Sequence, residues 1–220
     1  MYSPSTTSPP AVRHLPAPTD EERSRILQIL EAAFAGADTP PDQAVLCMTG
    51  GSKSAEHAMF RFAIEAALRD GELWVAGLDR NSIDGVALWI SPGNDWSIGS
   101  EDAYKRMLPE DMKEWFTMHF KPKYDELYAS TYPQYGGGAL RVRAWHLKVI
   151  AVHPSCQRRK LGTALVRAVL DKPDRAGKPM TCDVQTSASV QFLQPLGFVY
   201  TGVRNFMGRR TGFPLWSLRR

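Results

Sequence analysis

Trp145-His146-Leu147-Lys148-Val149-Ile150-Ala151-Val152-His153-Pro154 reads as a buried strand, Ser155-Cys156-Gln157-Arg158-Arg159-Lys160 as a short basic turn, and Leu161-Gly162-Thr163-Ala164-Leu165-Val166 as the opening of a helix. Such a unit suits the holding of an anion. The first turn of a helix carries N–H groups with no intrahelical partner and about half a unit of positive charge. Gly162, Thr163 and Ala164 are small enough for a diphosphate to come close to the backbone. Arg158, Arg159 and Lys160 add charge around it. The GxxxxGK[ST] spacing of a Walker A loop is absent, so this is a phosphate cradle of another kind.

Two residues on neighbouring predicted strands could accept a proton. His146, on the central strand, has an ordinary pKa near 6.5 that suits proton transfer at neutral pH; a histidine satisfied by the sheet is the competing reading. Asp183, on the next strand, would need a raised pKa, and its competing role is to partner a nearby arginine. Cys47, Cys156 and Cys182 are too few and too scattered for a disulfide framework or a zinc site, and no other metal site is visible.

The elements that position these groups follow in order along the chain. Residues 1–18, rich in proline, serine and threonine, read as a disordered tail without the features of a secretory signal. Residues 19–220 are expected to form one domain. Thr19-Asp20-Glu21-Glu22 is a capping box opening a helix whose apolar face is Ile26, Leu27, Leu30, Ala33 and Phe34, with Gly36 as its stop. A loop at 38–43 and a helix over about 54–69 come next. Residues 72–78 and 83–90 read as a hairpin around Asp79-Arg80-Asn81-Ser82. Helices are expected at 101–108, 110–119 and 123–130, in an insert whose aromatics read as core, with an acceptor-pocket wall as the alternative. Gln134–Gly138 is a glycine-rich loop. Strands at 144–152 and 179–185, helices at 162–170 and 189–196, and a hairpin of 198–207 with 213–219 complete the chain. Strands alternating with helices after an antiparallel hairpin indicate a mixed α/β sheet.

Composition narrows the function classes. Lysine and arginine number 27 against 23 acids, and a net charge of +4 without aromatic interleaving does not point to nucleic acid. No apolar run is long enough for a membrane span. The expectation is a cytoplasmic protein, with a nuclear location left open.

Gln157-Arg158-Arg159-Lys160-Leu161-Gly162 resembles the Gln/Arg-x-x-Gly-x-Gly/Ala hallmark of the GCN5-related N-acetyltransferases (the GNAT superfamily), with Lys160 at the first glycine. A second register, Arg159 to Ala164, fits every letter, but the first keeps the usual distance from Val152-His153-Pro154. Ser189-Val190-Gln191-Phe192-Leu193-Gln194-Pro195-Leu196-Gly197-Phe198 resembles the family's Asn-x-x-x-Tyr-x-x-x-Gly-Phe segment, with Ser189 at the Asn and Leu193 at the Tyr. The resemblance is strong over 145–198 and weaker over 72–92 and 213–220.

The resemblance implies a central mixed, mostly antiparallel sheet flanked by helices, and direct transfer of an acetyl group from acetyl-CoA to an amine without a metal. The thioester would lie along Ile150, Ala151 and Val152. The diphosphate would sit on the turn formed by Gln157, Arg158, Arg159, Lys160, Leu161, Gly162, Thr163 and Ala164. The acceptor would be a small-molecule or peptide amine, and a homodimer is left open because several members pair their sheets across one. Leu193 cannot donate a proton where the family commonly has a tyrosine. Ser189, Cys182, Tyr200 or water could replace it, the thiolate could leave unprotonated, the enzyme could be slow, or catalysis could be lost. The alternative to an enzyme is therefore a CoA-binding or regulatory protein of the same fold; a partner-binding protein without cofactor is a third reading.

Overall fold

Strands β1 (Ala11–His14), β2 (Gly71–Gly77), β3 (Gly85–Ile90), β4 (Trp145–Val152), β5 (Met180–Val184), β6 (Val199–Met207) and β7 (Gly212–Arg219) form one sheet in the computed structural model, in the order β1-β2-β3-β4-β5-β7-β6. Residues 9–35, 42–94, 101–208 and 211–220 are described. Strands β4 and β5 run parallel, and the other neighbours are antiparallel. This is the mixed, mostly antiparallel sheet that the sequence leads one to expect. One boundary is corrected: Ala11–His14, assigned to a disordered tail, pairs with β2 from Ala11↔Gly77 to His14↔Trp74.

Helices cover both faces. On one face lie α1 (Asp20–Ala35), α2 (Gln43–Thr49), α3 (Lys53–Asp70), α4 (Glu101–Met107), α5 (Glu110–Trp115) and α6 (Lys121–Thr131), sharing a core with Val75, Val86, Leu88 and Ala151. A short α7 (Ala139–Arg143) leads into β4. On the other face, α8 (Leu161–Leu170) and α9 (Ser187–Leu193) pack on Ala87, Trp89, Leu147 and Cys182. Neither α2 nor α7 is apparent from hydrophobic period, being only seven and five residues long. The proposed stop at Gly36 lies outside the described residues.

The aromatic insert is a column. A π-helical stretch, Phe116–Phe120, joins α5 to α6. It brings Phe116, Phe120, Tyr124, Tyr128 and Tyr132 into one row, with successive ring centroids 5.2, 5.6, 5.6 and 5.4 Å apart. Spacing of four residues puts side chains on one helix face, and that face is turned to the core. The core reading of the insert therefore holds, and the pocket described below takes its apolar wall from α1–α3 instead.

Two local features shape β4. The register against β3 shifts between Leu88 and Trp89, so Leu88 pairs with Val149 while Trp89 pairs with Leu147. Lys148 is the extra residue of this bulge, which reverses the strand's alternation. Leu147 faces α8, whereas Val149 and Ala151 face α1 and α3. The pairing of β4 with β5 runs from Trp145↔Met180 only to Leu147↔Cys182.

The capping box at the start of α1 forms in both directions. The Thr19 N–H donates to Glu22 Oε2 at 2.9 Å, and the Glu22 N–H donates to Thr19 Oγ1 at 3.2 Å. Thr19→Ala leaves one of these N–H groups without its acceptor. A loss of about 1 kcal/mol is expected, read as a lower urea midpoint with an unchanged slope.

Candidate functional site

Beyond Leu147 and Cys182 the two central strands part. Strand β4 continues to Val152 and β5 to Val184, with no further pairing between them among the described residues. At the same point β4 turns from fully buried to half-buried, beginning with Lys148. A cavity of about 220 Å³ occupies the gap. Lys148, Val149 and Ile150 line it from β4, and Cys182, Asp183 and Val184 from β5. Ser189, Phe192 and Leu193 of α9 close one side. The opposite wall is apolar, with Phe34 of α1, Met48 of α2, and Met59, Phe60 and Phe62 of α3.

Asp183 is the polar feature of this cavity with the most built around it. Tyr124 donates to its Oδ2 at 2.7 Å, and Tyr128 reaches the two oxygens at 3.0 and 3.2 Å. Tyr132, next in the column, bonds Ser217 Oγ at 2.9 Å and Thr201 Oγ1 at 2.7 Å. Burial pushes the Asp183 carboxyl above its ordinary range, while the hydroxyls of Tyr124, Ser217 and Tyr128 and the charge of Lys148 oppose that rise. Tyr124 and Tyr128 are pushed well above the usual phenol value, first by burial and then by Asp183 itself, so both remain donors. The sequence offers two signals for this arrangement, the four-residue tyrosine spacing and a lysine inside an apolar strand.

The other sequence candidates separate. His146 does not line the cavity. It is 2% exposed, and its Nδ1 lies 3.0 Å from Thr181 Oγ1. Burial, with Lys148 and Arg141 adding to it, drives its pKa well below the ordinary value. It lies opposite Thr181 in the part of the β4–β5 ladder that is still paired, before the strands part. Ser189 lines the cavity, and its Oγ is 2.8 Å from Thr186 Oγ1, the cap of α9. Leu193 lines it too and is fully buried. Cys182 is a buried thiol pushed well above its usual pKa by burial, and Tyr200 is exposed on β6 away from the cavity.

The turn from Gln157 to Ala164 adjoins this cavity. Gln157 Nε2 donates to Val152 O at 3.3 Å, tying the turn to the end of β4. Arg158, Arg159 and Lys160 are exposed. Arg158 and Lys160 have φ of +62° and +66°, left-handed values that favour glycine. That is the physical meaning of a glycine at the Lys160 position of the hallmark, and here a lysine adopts the same conformation. Lys160 caps α8 without a side-chain acceptor, so among the described residues its side chain leaves the first-turn amides of Leu161, Gly162 and Thr163 uncapped. A Cβ on Gly162 would lie 3.2 Å from Phe192, a cavity residue. The uncapped helix end and the parted strands are thus neighbours. Among the described residues no His, Cys, Asp or Glu cluster could hold a metal ion.

Two measurements probe this geometry. Lys160→Gly removes a left-handed penalty of about 1 kcal/mol or more, partly offset by glycine's unfolded-state freedom, so the thermal midpoint should rise slightly; a clear fall would contradict the left-handed assignment. Asp183 has a raised folded pKa, so its contribution to stability is present below the ordinary carboxylate value and is lost as pH rises through the raised one. Relative to the parent, Asp183→Asn should therefore become progressively more stable from about pH 4 towards neutrality, by about 1.4 kcal/mol per unit of upward shift. Urea titrations across that range give the slope, and the opposite slope would refute the assignment.

Comparison with known proteins agrees with this topology. The acetyltransferase (GNAT) domain profile matches residues 97–211. A mosquito arylalkylamine N-acetyltransferase like 5b superposes with a TM-score of 0.62 at 16% identity, covering 96% of this chain and 99% of the other. A Drosophila melanogaster polyamine N-acetyltransferase gives 0.60 at 12% identity, covering 96% and 99%. A Salmonella typhimurium protein solved with its cofactor acetyl-CoA gives 0.50 at 15% identity, covering 97% and 94%. At such identities the likeness shows the fold. No curated protein matches the chain significantly. Among the described residues, no helix is long and apolar enough to cross a membrane. With the domain profile spanning more than half of its length, the chain belongs to the GNAT acetyltransferase family.

Proposed function

We propose that this chain transfers an acetyl group from acetyl-CoA to the amine of a small acceptor. The observation that carries the reading is the cavity at the parting of β4 and β5, set against the uncapped N-terminus of α8. The residues fit the cofactor. Amides of the Gln157–Ala164 turn and the cations Arg158, Arg159 and Lys160 suit a diphosphate, and the unpaired edge of β4 at Ile150, Ala151 and Val152 offers backbone groups to an extended arm. Bound there, acetyl-CoA supplies the activated acetyl group. That the Salmonella relative was solved with acetyl-CoA supports the reading.

The acceptor amine must reach the cavity neutral. Asp183 is our candidate for taking its proton, because it lines the cavity and its raised pKa makes it a better base near neutral pH. Tyr124 and Tyr128 hold the carboxylate in place. Asp70 also lines the cavity, but it is engaged by Arg69. Ser189, beside Leu193, is the candidate proton donor to the departing sulfur. The apolar wall of Phe34, Met48, Met59 and Phe60 suits an amine with an apolar body. The names of the mosquito and Drosophila relatives, an arylalkylamine and a polyamine N-acetyltransferase, also favour a small amine.

A second reading rests on Leu193: a CoA-binding protein of this fold without turnover. Calorimetry and free-CoA release separate the two. Acetyl-CoA should bind in the micromolar range, and Gly162→Glu should weaken it at least tenfold in a folded protein. An amine panel should then release CoA, with Asp183→Asn lowering kcat by about 10²–10⁴. Binding without amine-dependent release selects the second reading; no binding by a folded protein refutes both.

A further inference from the structure

We infer that the chain carries a second anion site, which takes a small oligophosphate. An open cleft of about 1130 Å³ lies where α8 ends at Leu170, between the turn at 134–136, α7, the loop at 175–179 and the end of β7. Eight residues of α8 separate Leu170 from the cradle at Gly162, about 12 Å at 1.5 Å per residue. Its lining holds Arg143, Arg175, Lys178, Arg219 and Arg220 and no Asp or Glu side chain.

One of these cations is already neutralised. Arg175 is 7% exposed, donates to Glu72 at 2.6 Å and to Asp174, and stacks 3.8 Å from the Trp145 ring. Arg143, Lys178, Arg219 and Arg220 have no carboxylate partner among the described residues. Two of them are held in place by one tyrosine. Arg219 donates to Tyr135 Oη at 3.0 Å with its guanidinium 3.9 Å over the ring, and Arg143 donates to the Tyr135 carbonyl. Among the described residues the Nε groups of Arg175 and Arg219 are buried N–H donors without an acceptor, a costly state for such a group.

Like charges gathered on a concave wall repel one another and concentrate a counter-ion. A monocarboxylate answers one of four charges, whereas an oligophosphate answers several, and guanidinium forks match phosphate oxygens. Arg219 already occupies one face of the Tyr135 ring, the one aromatic ring in the cleft lining among the described residues, which favours a small phosphate over single-stranded nucleic acid.

Inorganic tripolyphosphate, titrated calorimetrically into the full chain, tests the site. The parent, Gly162→Glu and the exposed double variant Arg143→Glu/Lys178→Glu are compared, each checked for an unchanged thermal midpoint. Binding should survive Gly162→Glu and weaken at least tenfold in the double variant, and it should weaken with added salt. Three results overturn the proposal: no binding by the parent, loss only in Gly162→Glu, or a tetraglutamate peptide binding the cleft as tightly as tripolyphosphate.

Discussion

The parting of β4 from β5 is the constraint on which the rest depends. Two parallel strands side by side would normally keep exchanging hydrogen bonds to their ends, because an unpaired N–H or C=O inside a sheet is costly. Here the ladder stops at Leu147↔Cys182, five residues before β4 ends. The backbone edge from Lys148 to Val152 is left facing a cavity in the middle of the sheet. Because the gap passes between the strands, it draws its lining from both layers: Phe60 and Met59 from α3 on one face, Phe192 and Leu193 from α9 on the other. Acetyl transfer needs two molecules held against each other, and effective concentration of that kind supplies about 7–11 kcal/mol of a barrier at best. A slot through the sheet, open to both layers, is a geometry that can supply it.

Electrostatics follow from the same opening. Asp183 sits on β5 just past the last pair with β4, where its carboxylate would be buried without compensation. Tyr124 and Tyr128 supply that compensation, and the π-helical stretch before α6 is what places the tyrosine column over it. The insert therefore serves the site indirectly, holding the Asp183 carboxyl at the cavity while contributing little of the wall.

Much of the fold was legible because it rests on local signals. The capping box at Thr19, the turn at Asp79-Arg80-Asn81-Ser82 and the basic turn before α8 each declare themselves in a few residues, and each appears: Asp79 Oδ1 accepts from the N–H of Asn81 and of Ser82 at 2.8 Å. What was not legible depends on pairing between distant segments. Ala11–His14 lies among prolines and becomes a strand only because the β2 edge is there to receive it. The bulge at Lys148 decides which face His146 and Val149 occupy, and period-two reasoning along β4 alone cannot see it. Where the β4–β5 ladder stops is equally a matter of pairing, and it leaves His146 inside the ladder and Asp183 on the cavity. The hydroxyls that hold Asp183 come from more than fifty residues away in sequence, beyond the reach of any motif.

Leu193 illustrates how packing and chemistry compete for one position. It is fully buried in the core that α9 shares with Leu165, Phe198 and Leu218. A phenol there needs a polar partner or an opening to the cavity, and enlarging a packed core position costs about 1–3 kcal/mol. Leucine gains burial and gives up the proton. Ser189 precedes it by four residues on the same helix, so the two side chains share one face, and both border the cavity. Any donor that α9 offers to a departing sulfur is thereby displaced one helical turn towards its N-terminus, where Thr186 already holds the serine hydroxyl. Leu193 and Ser189 are thus linked by the geometry of a single short helix.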